Sequence, residues 1–214
     1  MELYENTNDW AKKLQPLIDK YKGKRHPLNY ENLYQLMVAV ILSAQDSDAN
    51  INKIAPDFFA QFPNLETLST ATIEDLFPYV NKVRNFNTKS SWLIEIAQTL
   101  KSNKNIPTNL NDLTALKGIG RKSANVIMRE MKVTAEGIIA DLHVIRVAPR
   151  IGLCEEAKDG NKVEKQLMQL LPKEIWGEIG MAISFLGRET CRPTNPKCSE
   201  CPIQNDCQYS LKTI

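Results

Sequence analysis

Long apolar runs are missing from this 214-residue sequence. The longest clean stretch, Leu36 to Leu42, is far too short to span a bilayer. The first residues, Met1 to Asp9, are polar and acidic with no basic segment leading into an apolar run, so a secretory signal is not expected. Sustained polar–apolar alternation is also absent, apart from a weak candidate strand at Val133–Ala140, and neither an internal repeat nor a low-complexity segment is found. Net charge is slight: at +2 it does not by itself mark a nucleic-acid binder. These absences leave an ordinary globular chain, expected inside the cell, long enough to bury a real core in one large or two small domains.

What is present is helical periodicity. Tyr34, Met37, Val38, Ile41 and Leu42 follow the spacing of an amphipathic helix. So do Leu93, Ile96, Ala97 and Leu100; Ala124, Ile127, Met128 and Met131; Val144, Val147, Ala148 and Ile151; and Val163, Leu167, Leu170 and Leu171. Pro63, Pro78, Pro107 and Pro172 are expected to start or end helices. From Arg192 on, prolines interleaved with cysteines read as a loop wrapped on something. The predicted fold class is all-α.

Four of the five cysteines fall in one short segment, Cys191-x6-Cys198-x2-Cys201-x5-Cys207. In a reducing compartment such a set points to metal rather than disulfides. Four thiolates fit a structural zinc or an iron–sulfur cluster. Zinc ribbons pair two Cys-x-x-Cys units, whereas one such unit and two singletons favour a cubane, whose irons each take a thiolate from a different direction. Cys154 stands apart and reads as a small buried hydrophobe.

A second signal is Leu113-Thr-Ala-Leu-Lys-Gly-Ile-Gly-Arg-Lys-Ser-Ala-Asn-Val-Ile. A short helix capped near Asn111 or Asp112 is expected to run into Lys117-Gly-Ile-Gly120, with a second helix beginning at once. The two glycines permit a tight turn close to a partner, and the next helix start offers N–H groups to a phosphate. This is a helix–hairpin–helix pattern, which grips a DNA backbone without reading sequence. Five basic residues between Leu113 and Lys132, including Arg129, add charge to the segment; by composition alone they read first as a solvated helix face. Lys122 lies in the first turn, where the helix dipole and neighbouring cations should free its amine to act as a nucleophile; taken alone, a lysine there is more often a phosphate contact, and its promotion needs a partner. Asp141 immediately precedes a periodic helix and suits an N-cap, a position that also fixes a carboxylate for chemistry.

Together, Leu42-Ser-Ala-Gln45, Leu116-Lys-Gly-Ile-Gly-Arg-Lys122, Asp141-Leu-His143 and the cysteine spacing resemble the endonuclease III family of iron–sulfur DNA glycosylase/AP lyases, over nearly the whole chain. The resemblance implies two helical domains with a DNA-binding cleft between them. One is a six-helix barrel at residues 27–135 that includes the hairpin at about 111–131. The other joins residues 1–26 to 136–214 and holds a 4Fe–4S cluster on Cys191, Cys198, Cys201 and Cys207. It implies a monomer of base excision repair, cytoplasmic at the nucleoid and without a membrane partner, acting on double-stranded DNA with damaged bases or abasic sites. Oxidised pyrimidines are the expected lesions.

Carried over residue by residue, Lys122 matches the family's nucleophile and Asp141 its essential carboxylate. Gln45 would fill the hole left by a flipped nucleotide. Lys117, Gly118, Ile119, Gly120 and Arg121 would grip the backbone, with His143, Arg192 and Lys197 adding contacts. Ser43, Arg84 and Asn85 are candidates for the lesion pocket or wedge. The chain departs from the family at Arg84, where Gly is usual, at Asn85, where an apolar wedge is usual, and at Leu142 and Leu186, where Thr and often His stand. An adenine-mismatch glycosylase is disfavoured, because Lys122 is present and Val38–Ala44 holds no acid. A glycosylase for alkylated or mismatched bases, or a non-catalytic DNA-binding module with structural metal, remains as an alternative.

Overall fold

The computed structural model describes residues 7–209, with only the backbone of Thr7 and Asn8. Among the described residues there are eleven α-helices and no strand. In chain order they are α1 (Thr7–Tyr21), α2 (Leu33–Ser43), α3 (Asp48–Gln61), α4 (Leu65–Leu68), α5 (Ile73–Val80), α6 (Phe86–Leu100), α7 (Leu110–Ala115), α8 (Arg121–Glu130), α9 (Leu142–Ile151), α10 (Gly160–Leu170) and α11 (Trp176–Glu189). None is long and apolar enough to cross a membrane. The chain divides into two compact units: His26–Val133, and residues up to Arg25 together with those from Thr134 on.

In the unit His26–Val133, α2 is the central element and packs on α3, α6 and α8. Its start is fixed by Asn32, whose side chain accepts the Gln35 N–H at 3.0 Å. The period in the sequence suggested one apolar stripe, yet Leu36 to Leu42 is buried without a break. A helix apolar all round belongs inside a core rather than on its surface. Pro78 lies within the last turn of α5 rather than at its boundary.

In the hairpin, α7 is capped by Asn109, which accepts the Asp112 N–H at 3.0 Å, two or three residues earlier than expected at Asn111 or Asp112. The turn then closes through the Ile119 N–H to the Leu116 carbonyl, and Ile119 is buried. The two glycines differ. Gly118 has φ +81°, and a Cβ there would come within 2.5 Å of the Trp92 ring. Gly120 has ordinary extended backbone and open space where a Cβ would be. Arg129, counted above with the basic face, has a side chain only 7% exposed that pairs with the Glu130 carboxylate at 2.5 Å, while Tyr30 donates its hydroxyl to the same carboxylate.

In the second unit α11 packs on α1 and α9, and α10 packs on α9. The candidate strand at Val133–Ala140 does not form. Ile138, Ile139 and Ala140 are buried without regular secondary structure against α11, where Gly180 lets the backbone in: a Cβ there would lie 2.6 Å from the Ile139 carbonyl oxygen. The segment is apolar because it faces a helix, not because it joins a sheet.

Gly118→Ala should therefore lower stability by about 1–3 kcal/mol for the forced left-handed backbone alone, with further loss from displacing Trp92. A thermal melt measures this. A melting temperature equal to wild type would mean that the turn geometry is not what the glycine secures.

Candidate active site and metal centre

Three sequence-predicted groups fall in the unit His26–Val133. Lys122 is the second residue of α8, half-buried, with Arg121 before it. Gly120 caps that helix without a side-chain bond to its first N–H groups. An uncapped helix start facing solvent suits an anionic oxygen. Lys117 is exposed and pairs with Glu95 at 2.8 Å. Such a pair is worth little, so the ammonium can exchange it for a phosphate.

Ser43, Gln45, Arg84 and Asn85 lie in the same unit, at helix ends. Ser43 donates its hydroxyl to the Val40 carbonyl at 3.0 Å. Gln45 is exposed just past α2, with φ +58°. Asn85 caps α6 with φ +57° and no side-chain bond. Arg84, where the family's Gly was noted, does not have positive φ. The left-handed residue of this turn is Asn85, and asparagine tolerates that conformation better than most side chains.

Asp141 lies in the other unit as the N-cap of α9. Its Oδ1 accepts the N–H groups of His143 and Val144, both at 2.9 Å. Its Oδ2 accepts the Ser184 hydroxyl at 2.6 Å, with Arg188 Nη2 3.8 Å away. The side chain is only 10% exposed. One oxygen thus belongs to the helix, and the other is held by two residues of α11 that the sequence pattern did not single out. His143 is half-buried beside Arg146, and Leu142, another departure, is exposed.

The four clustered cysteines line a largely apolar cavity of about 150 Å³ that also touches buried Leu186. Burial pushes the Cys201 thiol up, and nearby Cys207, Cys191 and Cys198 add to the shift. Four cysteine sulfurs lining one apolar cavity are a donor set that an iron–sulfur cluster takes, one thiolate to each iron. The loop is stitched to α9. Arg146 donates to the carbonyls of Gly187 and Cys191, and Arg150 donates to those of Arg192 and Pro193. Arg150 also reaches Cys191 Sγ at 3.6 Å. Arg192 and Lys197 stay exposed, Lys197 beside Glu200 at 3.2 Å. Cys154 is half-buried, and burial raises its thiol to about 11, so it stays protonated and inert.

Residues 38–173 match the family described as "HhH-GPD superfamily base excision DNA repair protein". That sets the class: a DNA-repair glycosylase built around a helix–hairpin–helix. Residues 191–207 match the "Iron-sulfur binding domain of endonuclease III". The chain is 32% identical to the endonuclease III of Bacillus subtilis (strain 168), over 93% of this chain and 91% of that one. It is also 32% identical to that of Haemophilus influenzae (strain ATCC 51907 / DSM 11121 / KW20 / Rd), over 94% and 97%. A solved structure described as a trapped endonuclease III–DNA covalent intermediate, estranged-adenine complex, superposes with TM-score 0.82 at 28% identity, covering 94% of this chain and 95% of that one.

The chain belongs to the endonuclease III family. It is a DNA glycosylase and AP lyase of base excision repair, its partner is DNA, and its cofactor is a 4Fe–4S cluster. The alternative of a non-catalytic module with structural metal falls with that assignment.

Purified protein should be yellow-brown and contain close to four irons per chain with little zinc. Cys198→Ser should lose both colour and cooperative melting of the second unit, because ligation is coupled to folding. One zinc per chain in anaerobically prepared material, without visible absorption, would contradict the assignment.

Proposed function

We propose that Lys122 is the nucleophile and Asp141 the supporting carboxylate in excision of oxidised pyrimidines, followed by strand cleavage. The observation that carries this reading is the likeness, over 94% of the chain, to an endonuclease III caught covalently joined to DNA. The motif Lys117-Gly-Ile-Gly-Arg-Lys122 adds a lysine at a helix start beside the DNA-gripping turn.

The Lys122 amine adds to C1′ of the extruded nucleotide, and the C1′–N bond to the base breaks with its electron pair leaving on the base. Asp141 takes the amine proton or balances the positive charge developing on the sugar. Its support is geometric: Oδ1 is committed to the α9 N–H groups, while Ser184 and Arg188 fix Oδ2. The sugar ring then opens, its C1′–O4′ bond breaking with the electron pair leaving on O4′ (which takes up a proton), and gives an iminium at C1′ that acidifies C2′–H; loss of that proton and departure of the 3′ oxygen cut the strand. Gln45 fills the vacated stack, and the hairpin, His143, Arg192 and Lys197 hold phosphates. The cluster holds the loop that carries Arg192 and Lys197 and takes no part in the bond changes. DNA as substrate assigns the work to the cytoplasm, at the nucleoid.

Two substitutions test the roles. Borohydride added during turnover should cross-link wild type to a duplex carrying ring-saturated thymine. Lys122→Gln should give no adduct while still binding that duplex, and an undiminished adduct would transfer the role to another amine. A panel of duplexes with single defined lesions, scored for base release and strand cleavage, tests the substrate class; a well-stacked lesion as best substrate would reject it.

For Asp141, capping and chemistry separate. Asparagine caps nearly as well as aspartate, so Asp141→Asn should leave melting within a few degrees. Excision should fall at least about 100-fold, roughly 3 kcal/mol of transition-state stabilisation. Unchanged excision with unchanged melting would leave Asp141 as a cap alone.

A further inference from the structure

Lys89 is a charged residue to which the reaction above gives no part, and it is only 2% exposed. Its ammonium donates to the carbonyls of Leu42 and Ala44, both at 2.7 Å, at the C-terminal end of α2. Those carbonyls flank the residue pair that leads into Gln45. Next in sequence, Asp46 accepts the Arg84 N–H through Oδ2 at 2.9 Å, and through Oδ1 it accepts the Ser47 N–H and the Asn50 amide. The Asn50 amide also reaches the Lys82 carbonyl at 3.3 Å. Every bond of this set lies within the unit His26–Val133, and it joins two loops 38 residues apart.

Each of these loops carries an exposed residue at positive φ, Gln45 at +58° and Asn85 at +57°. For glutamine that backbone is uncommon, and it persists only where its surroundings over-determine it. The bonds on either side of Gln45 do so. Lys89 holds the carbonyls of Leu42 and Ala44, and Asp46 is tied down by three donors. Burial pushes the Asp46 carboxyl up, but the Arg84 and Ser47 N–H groups, the Asn50 amide and the Lys89 charge outweigh it and hold it below the usual range.

We infer that Lys89 and Asp46 form a clamp that makes the Gln45 loop and the Arg84–Asn85 turn one preorganised pair of fingers for entering the duplex. They are positioning residues: neither touches the reacting sugar, and both act through Gln45 and Asn85. The inference rests on the reading of those two residues as the ones that enter the stack. A finger already held in its strained shape does not have to be ordered when the nucleotide leaves the helix, so binding energy goes to extrusion. The benefit is therefore confined to lesions that must be unstacked and unpaired first.

The experiment compares Asp46→Ala and Lys89→Met with wild type on the same lesion in a fully paired duplex and in an unpaired bulge, where extrusion is already complete. The ratio of base release, paired over bulged, should fall at least tenfold in each variant. Combining either with the double variant Gln45→Ala/Asn85→Ala should lower that ratio no further than the double variant alone, as expected of residues acting through one another. Asp46 is partly exposed, so Asp46→Ala keeps the test available if Lys89→Met does not fold.

A second measurement needs no chemistry. In a Lys122→Gln background, 2-aminopurine placed opposite a tetrahydrofuran site should brighten on binding. Adding Asp46→Ala should reduce the rise at saturation at least threefold. If wild type forms no borohydride adduct but this difference holds, the nucleophile assignment fails and the clamp stands. Equal losses on paired and bulged substrates, additive effects with Gln45→Ala/Asn85→Ala, or an unchanged fluorescence rise would each overturn the clamp.

Discussion

The first N–H groups of an α-helix and its last carbonyls have no partner inside the helix, and something outside must satisfy them. In this chain most residues assigned to chemistry or to DNA stand where that requirement is met. Asp141 meets it for α9 with one oxygen and keeps the other for Ser184 and Arg188. Gly120 leaves the start of α8 without a side-chain cap, and Lys122 follows two residues later. Lys89 lies in the first turn of α6, the unfavourable end of its own helix for a cation. Its ammonium is used instead at the C-terminal carbonyls of α2, where the dipole of that helix favours it.

This explains what could be read in the sequence and what could not. The cysteine spacing and Lys117-Gly-Ile-Gly120 are local, because a thiolate set or a tight turn needs its residues close together in the chain. Caps are partly local: the Asp141 cap was legible, while the hairpin cap was misplaced among Asn109, Asn111 and Asp112, any of which has the right side chain. The clamp was not legible, because its bonds cross 38 to 47 residues of sequence. Lys89 sits in a helix whose apolar pattern gives no hint that a charge is buried. Arg129 misled for the same reason. It was counted with a basic, solvated face, yet its side chain is enclosed and paired with that of Glu130, which also accepts the Tyr30 hydroxyl. Val133–Ala140 was apolar for a tertiary reason, close packing on Gly180, which periodicity cannot distinguish from a sheet.

The metal loop depends on the same carbonyl chemistry. Between Cys191 and the short turn at Cys198 there is no regular structure to take up backbone groups. Arg146 and Arg150 supply donors from α9, which is rigid because Asp141 caps it and Val144, Val147, Ala148 and Ile151 bury its inner face. The cysteine loop and the Asp141 carboxylate therefore share one helix as their support. Burying Arg146 disfavours its charge, as does Arg150 nearby, while Cys191 and Asp141 favour it. A substitution at Arg146 would thus disturb both ends of α9 together.

The departures at Arg84 and Asn85 follow from how the turn is held. Backbone conformation calls for a glycine in a turn where φ is positive, and here that position is Asn85, not Arg84. Arg84 needs only an acceptor for its N–H, and Asp46 is that acceptor. If Asn85 is the wedge, as proposed, that position is occupied by a side chain that can form hydrogen bonds but stacks less than an apolar one. Extrusion on that proposal would draw less on filling the gap and more on a lesion that is poorly stacked beforehand, met by fingers that already have their shape. Ring-saturated pyrimidines, which are no longer flat, would satisfy that condition; planar lesions would not.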